Sequence, residues 1–186
     1  MVSECVAAGL PAVHVREKDL AAGELAALCR RLLGVIAQAG ALLIVNDRLD
    51  VALAVGAGAV QRTHRSLTVS DVRHVAKTDV LVGASTHSVE ESIEAEAAGA
   101  DWVTFGPVYD TPAKRAYGPP QGLASLEKVA RAVRIPVVAI GGITPERVPE
   151  LRAAGAHGVA VISAILGADS PGTATRRFLE ALDRTA

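Results

Sequence analysis

Ala97-Ala98-Gly99-Ala100-Asp101-Trp102-Val103-Thr104-Phe105 ends an Ala-rich helical stretch, turns on a glycine and enters a β-branched and aromatic run. Glycine stops helices because, lacking Cβ, it takes the left-handed conformation without steric cost. The same order recurs at Ala7-Ala8-Gly9 before Ala12-Val13-His14-Val15 and at Gln38-Ala39-Gly40 before Leu42-Leu43-Ile44-Val45. It recurs again at Ala54-Val55-Gly56 before Ala59-Val60-Gln61 and at Ala153-Ala154-Gly155 before Val159-Ala160-Val161-Ile162. Two further apolar runs, Val80 to Ala84 and Pro136 to Ile140, follow helical stretches, with Pro136 legal at a strand's first position. Seven strands are therefore expected. Amphipathic helices are expected over 20–39, 50–55, 69–77, 89–98, 123–133, 145–154 and 174–182, with Ser88 and Thr144 as N-caps and Pro145 at a first helical position.

Strict strand–helix alternation makes the strands parallel with right-handed crossovers, which leaves an open doubly wound sheet or a (β/α)8 barrel. No Gly-x-Gly-x-x-Gly follows the first strand, so the dinucleotide-binding fold loses its main support. The expected class is α/β, a (β/α)8 TIM barrel formed by 1–186 as a single domain. The first residues, Val2 to Gly9, read as the end of a helix with no strand before it, so the barrel is expected to lack its first β-strand.

Composition narrows the function. With 20 acidic against 19 basic side chains and a net charge of −1, a basic nucleic-acid clamp is excluded. Half the residues are hydrophobic and only 3% aromatic, so the core must be Ala, Val, Leu and Ile, as in parallel strands covered by helices. The charge-free run Leu32 to Asn46 contains Gln38 and two glycines and falls short of the ~18 apolar residues of a membrane span. The start of the chain carries Glu4 and no basic n-region, so a cytoplasmic protein without membrane or nucleic-acid partners is expected. Cys5 and Cys29 form no CxxC and are expected to be small buried hydrophobes.

In a parallel barrel the site lies at the C-terminal ends of the strands. After the first strand stand His14, Arg16 and Lys18; alternation puts His14 and Arg16 on one face, and two cations there suit a phosphate or diphosphate or form a solvated loop. Asn46-Asp47-Arg48 follows the second strand, where Asp47 either holds a hard cation or caps the next helix. His87, at a helix start after Ser85-Thr86, reads as a local hydrogen-bonding residue. The long Gly- and Pro-rich segment from Phe105 to Gly122, with Thr111, Lys114 and Arg115 at its middle, reads as an active-site lid. Ile140-Gly141-Gly142-Ile143-Thr144 and Val161-Ile162-Ser163-Ala164 each open a helix after one of the last two strands, the usual phosphate site of such barrels.

Taken together, Val15 to Asp19, Val45 to Leu53, Ser85 to Ser88, Gly99 to Lys114, Ala139 to Pro145 and Gly155 to Ile165 resemble the thiamine phosphate synthase/TenI family in the same order and over nearly the whole chain. The resemblance implies a barrel acting on phosphorylated thiamine precursors. For the synthase it implies Arg16, Lys18, Asn46 and Lys114 at a diphosphate, Asp47 at Mg2+, Ser85 at an aminopyrimidine, and Thr111, Gly142, Ile162 and Ser163 at a thiazole phosphate. This chain has His14 where the synthase pattern has Gln, Thr63-His64-Arg65-Ser66 where it supplies a second carboxylate, and Ala113 where it has a second Thr. TenI-like members are closer in His14-Val15-Arg16-Glu17, in Val60-Gln61 and near Ser66, although their histidine after the Phe-Gly pair is Pro107 here. The expectation is a thiazole tautomerase needing no cofactor, with His14 and Lys114 as catalytic residues. The alternatives are a Mg2+-dependent thiamine phosphate synthase and a non-catalytic phosphate-binding regulator. Small-molecule substrates are expected in either enzyme, and the oligomeric state, a homo-oligomer included, stays open.

Overall fold

A computed structural model describes residues 1–77, 80–112, 115 and 118–184. Its seven strands are β1 (Ala12–Val15), β2 (Leu42–Asn46), β3 (Ala59–Arg62), β4 (Leu81–Thr86), β5 (Trp102–Phe105), β6 (Val137–Ile140) and β7 (Gly158–Ala160). They pair consecutively and in parallel in one curled sheet. The crossover helices are α2 (Ala22–Ile36), α3 (Leu49–Val55), α4 (Val69–Ala76), α5 (Val89–Ala97), α6 (Gly122–Ala132) and α7 (Val148–Ala153), with α1 (Val2–Ala7) before β1 and α8 (Ser163–Leu166) and α9 (Pro171–Asp183) after β7. This is the α/β barrel fold short of one strand. Among the described residues β1 pairs only with β2 and β7 only with β6, while α1 packs against both α2 and α9. The helical ring thus runs past the break in the sheet.

Local chemistry sets these elements. Gly9, Gly40, Gly56, Gly99 and Gly155, the five expected stops, all have positive φ. Ser88 caps α5 by accepting from the Glu91 N–H, and Thr68 and Asp71 close a capping box on α4. Thr144 stands at its expected boundary but its side chain makes no cap bond there, and the helix after it begins as a 3₁₀ turn, Pro145–Arg147. Pro149 explains this. It has no N–H to donate to the Pro145 carbonyl, so the first turn closes instead through the Val148 N–H.

The core lies between sheet and helices. Val45, Val82, Val103, Phe105 and Ala139 are fully buried on the convex face, against helix residues such as Leu25, Cys29, Leu126, Val129 and Leu151. Each Val, Leu or Phe side chain so buried contributes about 1.5–3 kcal/mol. Cys5 and Cys29 are both buried and unpaired, as expected of small hydrophobes. The concave face alternates with these positions and is more open, since Ile44, Trp102, Thr104, Val138 and Ile140 are only half-buried. No helix among the described residues is long and apolar enough to cross a membrane.

Candidate active site

Asn46 and Asp47 leave the end of β2 in a tight turn, with Asp47 at φ 57 and its N–H donating to the Gln61 carbonyl at 2.9 Å. That turn swings the Asp47 carboxylate across to the end of β3. Oδ1 accepts from the Thr63 N–H at 2.8 Å, and Oδ2 accepts from the Thr63 hydroxyl at 2.9 Å and from the Asn46 amide at 2.8 Å. Asp47 therefore does not cap α3, whose N-cap position is Arg48. Arg48 itself is engaged by Asp50 at 2.6 Å.

This arrangement fixes protons further along. An ionised carboxylate only accepts, so the Asn46 group facing it is the NH2, which turns the Asn46 Oδ1 toward His14 Nε2 at 3.2 Å. His14 therefore carries its proton on Nε2 and leaves Nδ1 bare. Its pKa lies below the ordinary 6.5, first because the surrounding protein desolvates the ring and then because Arg16 is near; the Asn46 bond and the Asp47 charge oppose this. The side chain is nevertheless exposed to solvent, so this desolvation is partial.

A second polar group sits beside the first. Gln61 donates to the Ser85 hydroxyl at 3.0 Å and accepts from the Thr104 hydroxyl at 3.4 Å. Gly83, between them in register, leaves room for this: a Cβ there would stand 2.2 Å from the Trp102 ring and 2.3 Å from Gln61 Oε1. Gln61, Thr63, Trp102 and Thr104 were not expected as site residues. The signal for Gln61 was present, as a polar residue at an inward position of an otherwise apolar strand. Thr63 carried none, because its role depends on where Asp47 turns.

The opposite side of the mouth is made of backbone. Gly141 and Gly142 leave β6 with φ 102 and 64, and a Cβ on Gly142 would meet the Asp110 carbonyl at 2.6 Å and Tyr109 Cβ at 2.9 Å. The segment after β5 is thus laid directly on this turn. Val108 and Tyr109 N–H groups donate to the Ile140 and Gly141 carbonyls at 2.8 and 3.1 Å, and Gln121 N–H returns to the Pro107 carbonyl at 2.8 Å. The N–H groups of Gly142 and Ile143 donate to no acceptor among the described residues. Ile162 and Ser163, at the start of α8, are exposed beyond the end of β7. Thr111 is half-buried in the β5–α6 segment next to Asp110, which Arg115 engages at 2.6 Å. Lys114 lies outside the described residues.

Arg16 and Lys18 are exposed after β1 and take part in none of the ion pairs found among the described residues. His87 is the local hydrogen-bonding residue expected, its Nδ1–H donating to the Gly106 carbonyl at 2.6 Å. Among the described residues the barrel mouth thus offers cations outside any ion pair on one flank, backbone N–H groups without an acceptor on the other, and a carboxylate held by three donors between them. Such a set suits a ligand with two separate anionic groups.

The chain matches the family described as thiamine monophosphate synthase over residues 1–165. The chain belongs to that enzyme family. It is 40% identical over 184 residues to a thiamine-phosphate synthase of Moorella thermoacetica, covering 99% of this chain and 88% of the relative. It is 43% identical over 180 residues to one of Methanoculleus marisnigri, covering 97% and 84%. The solved thiamine phosphate pyrophosphorylase from Pyrococcus furiosus superposes with a TM-score of 0.92 at 35% identity, covering 99% of this chain and 88% of that one. The Moorella and Methanoculleus relatives carry the synthase name and the Pyrococcus structure that of a pyrophosphorylase, and the expected preference for the tautomerase finds no counterpart among them.

Proposed function

We propose that this protein is a thiamine-phosphate synthase of the cytoplasm. The observation that carries the reading is the full-length likeness to relatives of that name, 40% identical over 99% of the chain. In the reaction the C–O bond of an aminopyrimidine-methyl diphosphate breaks and diphosphate departs with the electron pair. The methylene cation left behind is captured by the ring nitrogen of a thiazole phosphate, forming the C–N bond. Arg16, Lys18 and Lys114 bind the diphosphate, with the second N–H of the Asn46 amide. Ser85, held by Gln61, orients the aminopyrimidine. Thr111, the Gly142 turn and Ile162-Ser163 take the thiazole phosphate.

The donor set fits Mg2+ of a particular kind. Three hydrogen bonds occupy the Asp47 carboxylate, which offers about four acceptor positions, so one remains. Among the described residues no cluster of three ligating side chains exists. Mg2+ is commonly held by one or two carboxylates plus substrate phosphates, so Asp47 would hold it together with the diphosphate. When bound, the ion supplies positive charge to the leaving group.

A turnover assay with both substrates and Mg2+ tests the reading: thiamine phosphate forms, and Asp47→Asn lowers kcat at least a hundredfold. Absence of product from the folded wild-type protein refutes it. One observation favours a second reading, the thiazole tautomerase. The bare Nδ1 of a neutral His14 is the form in which a histidine moves a proton between carbon positions. Conversion of the non-aromatic thiazole phosphate carboxylate, lost in His14→Gln, would establish it.

A further inference from the structure

Arg147 and Tyr109 are far apart in sequence; each lies in a segment the sequence marks out, the helix after β6 and the segment after β5, but neither is singled out there by its own residue type. Arg147 follows β6 in the 3₁₀ turn, and Tyr109 opens the β5–α6 segment. The Arg147 guanidinium stacks on the Tyr109 ring at 4.2 Å and donates from one terminal nitrogen to the Gly142 carbonyl. The Tyr109 hydroxyl donates to Glu150. Desolvation, the bond to Glu150 and its charge hold the Tyr109 hydroxyl well above its ordinary pKa, so it stays protonated and keeps donating. Glu150 is thereby taken up by Tyr109, and Arg147 enters none of the ion pairs among the described residues. Its charge rests beside the Gly142 peptide, and the Glu150 carboxylate lies across the Tyr109 ring rather than in direct contact with it among the described residues.

We infer that Arg147, clasped by Tyr109, is a positioning residue for the thiazole phosphate, acting through the Gly142–Ile143 peptide. The peptide group is planar and trans, so its C=O and N–H point in opposite directions. Holding the Gly142 oxygen from one side fixes the Ile143 N–H on the other, where it has no acceptor of its own among the described residues. A donor that is already aligned loses little entropy when the phosphate arrives. A planar guanidinium is suited to this because it can stack and donate at once, which an ammonium cannot. The same clasp ties the β5–α6 segment to the turn, so both halves of the phosphate subsite move together.

This inference rests on the proposed synthase reading, and its test separates the two. Calorimetric titration with thiazole phosphate and steady-state kinetics are measured for the wild type, Arg147→Ala, Arg147→Lys and Tyr109→Leu. The expected result is a roughly tenfold rise in Kd and KM for thiazole phosphate in Arg147→Ala and Tyr109→Leu, with KM for the aminopyrimidine diphosphate unchanged and only partial rescue by lysine. Arg177→Ala, which removes an exposed cation paired with Glu146 nearby, serves as the control for general charge and leaves both KM values unaltered. Wild-type binding matched by equally tight binding in Arg147→Ala overturns the clasp alone, as does an equal rise in both KM values. A wild-type protein that does not bind thiazole phosphate overturns the synthase reading and the clasp with it.

Discussion

Replacing Gly142 by alanine separates two costs that the structure makes unequal. Gly142 sits at φ 64, where an L-residue costs about 1–2 kcal/mol, and its new Cβ would stand 2.6 Å from the Asp110 carbonyl oxygen. That neighbour is backbone and cannot rotate away, so the β5–α6 segment must lift, at a further cost of about 1–3 kcal/mol by analogy with overpacked sites. Gly56 provides the reference, since it has nearly the same backbone conformation at φ 71 but nothing within 4 Å of the built Cβ. Gly56→Ala should therefore lose about 1–2 kcal/mol, and Gly142→Ala about 2–5 kcal/mol. Urea unfolding of the three proteins at one pH reads the difference directly, with equal m-values required for the comparison. Calorimetry on the same samples should show thiazole phosphate affinity lowered tenfold or more in Gly142→Ala and unchanged in Gly56→Ala. Equal stability losses with equal affinities would refute the reasoning, because the turn would then not be packed under the segment that crosses it.

Three further outcomes follow from the polar floor. The depressed pKa of His14 means that the unfolded chain binds its proton more readily, so stability is fully present above pH 6.5 and is lost as pH falls toward the folded value; urea midpoints against pH should show this loss in the wild type and its absence in His14→Gln. Thr63→Val deletes one hydrogen bond to the Asp47 carboxylate and should cost about 1–2 kcal/mol in denaturant unfolding while raising the Mg2+ concentration needed for half-maximal turnover. Gly83→Ala should displace both Trp102 and Gln61, read as a shifted tryptophan fluorescence maximum together with a loss of about 1–3 kcal/mol, and an unchanged spectrum would contradict the contact.

The fold was legible because its grammar is local. A helix that ends on glycine and a strand that starts a few residues later need no long-range information, and β5 over Trp102–Phe105 falls where the residues alone put it. β7 was expected to run on through Val159-Ala160-Val161-Ile162 but ends at Ala160. Its ladder has a single neighbour, and that neighbour turns away at Gly141 once Ile140 has paired with Ala160, so later residues have nothing to pair with. The position of candidate residues was legible where residue type falls at a strand end, since Arg16, Asn46 and the glycine pair stand at the ends of β1, β2 and β6 as the sequence places them. It was not legible where one side chain decides another's role. Asp47 could cap a helix or face the site, and only the two donors of Thr63, brought alongside by the β2–β3 register, settle the choice. The Arg147–Tyr109 stack joins two crossover segments and leaves no trace in either.

These dependencies make Asp47 more than a possible ligand. Its charge selects the orientation of the Asn46 amide, and that orientation selects the tautomer of His14. Neutralising Asp47, as in Asp47→Asn, removes the reason for Asn46 to present its NH2, and the amide is then free to turn and offer that NH2 to His14 instead. His14 would follow by moving its proton to Nδ1. The two readings of this site, cation-assisted departure of diphosphate and proton movement by a neutral histidine, thus depend on the same carboxylate through the same amide. A pattern with glutamine in place of His14 has no tautomer to choose. In this chain the histidine couples the state of Asp47 to the proton inventory of the barrel mouth, and 15N chemical shifts of the His14 ring in the wild type and in Asp47→Asn would register the exchange of Nε2–H for Nδ1–H.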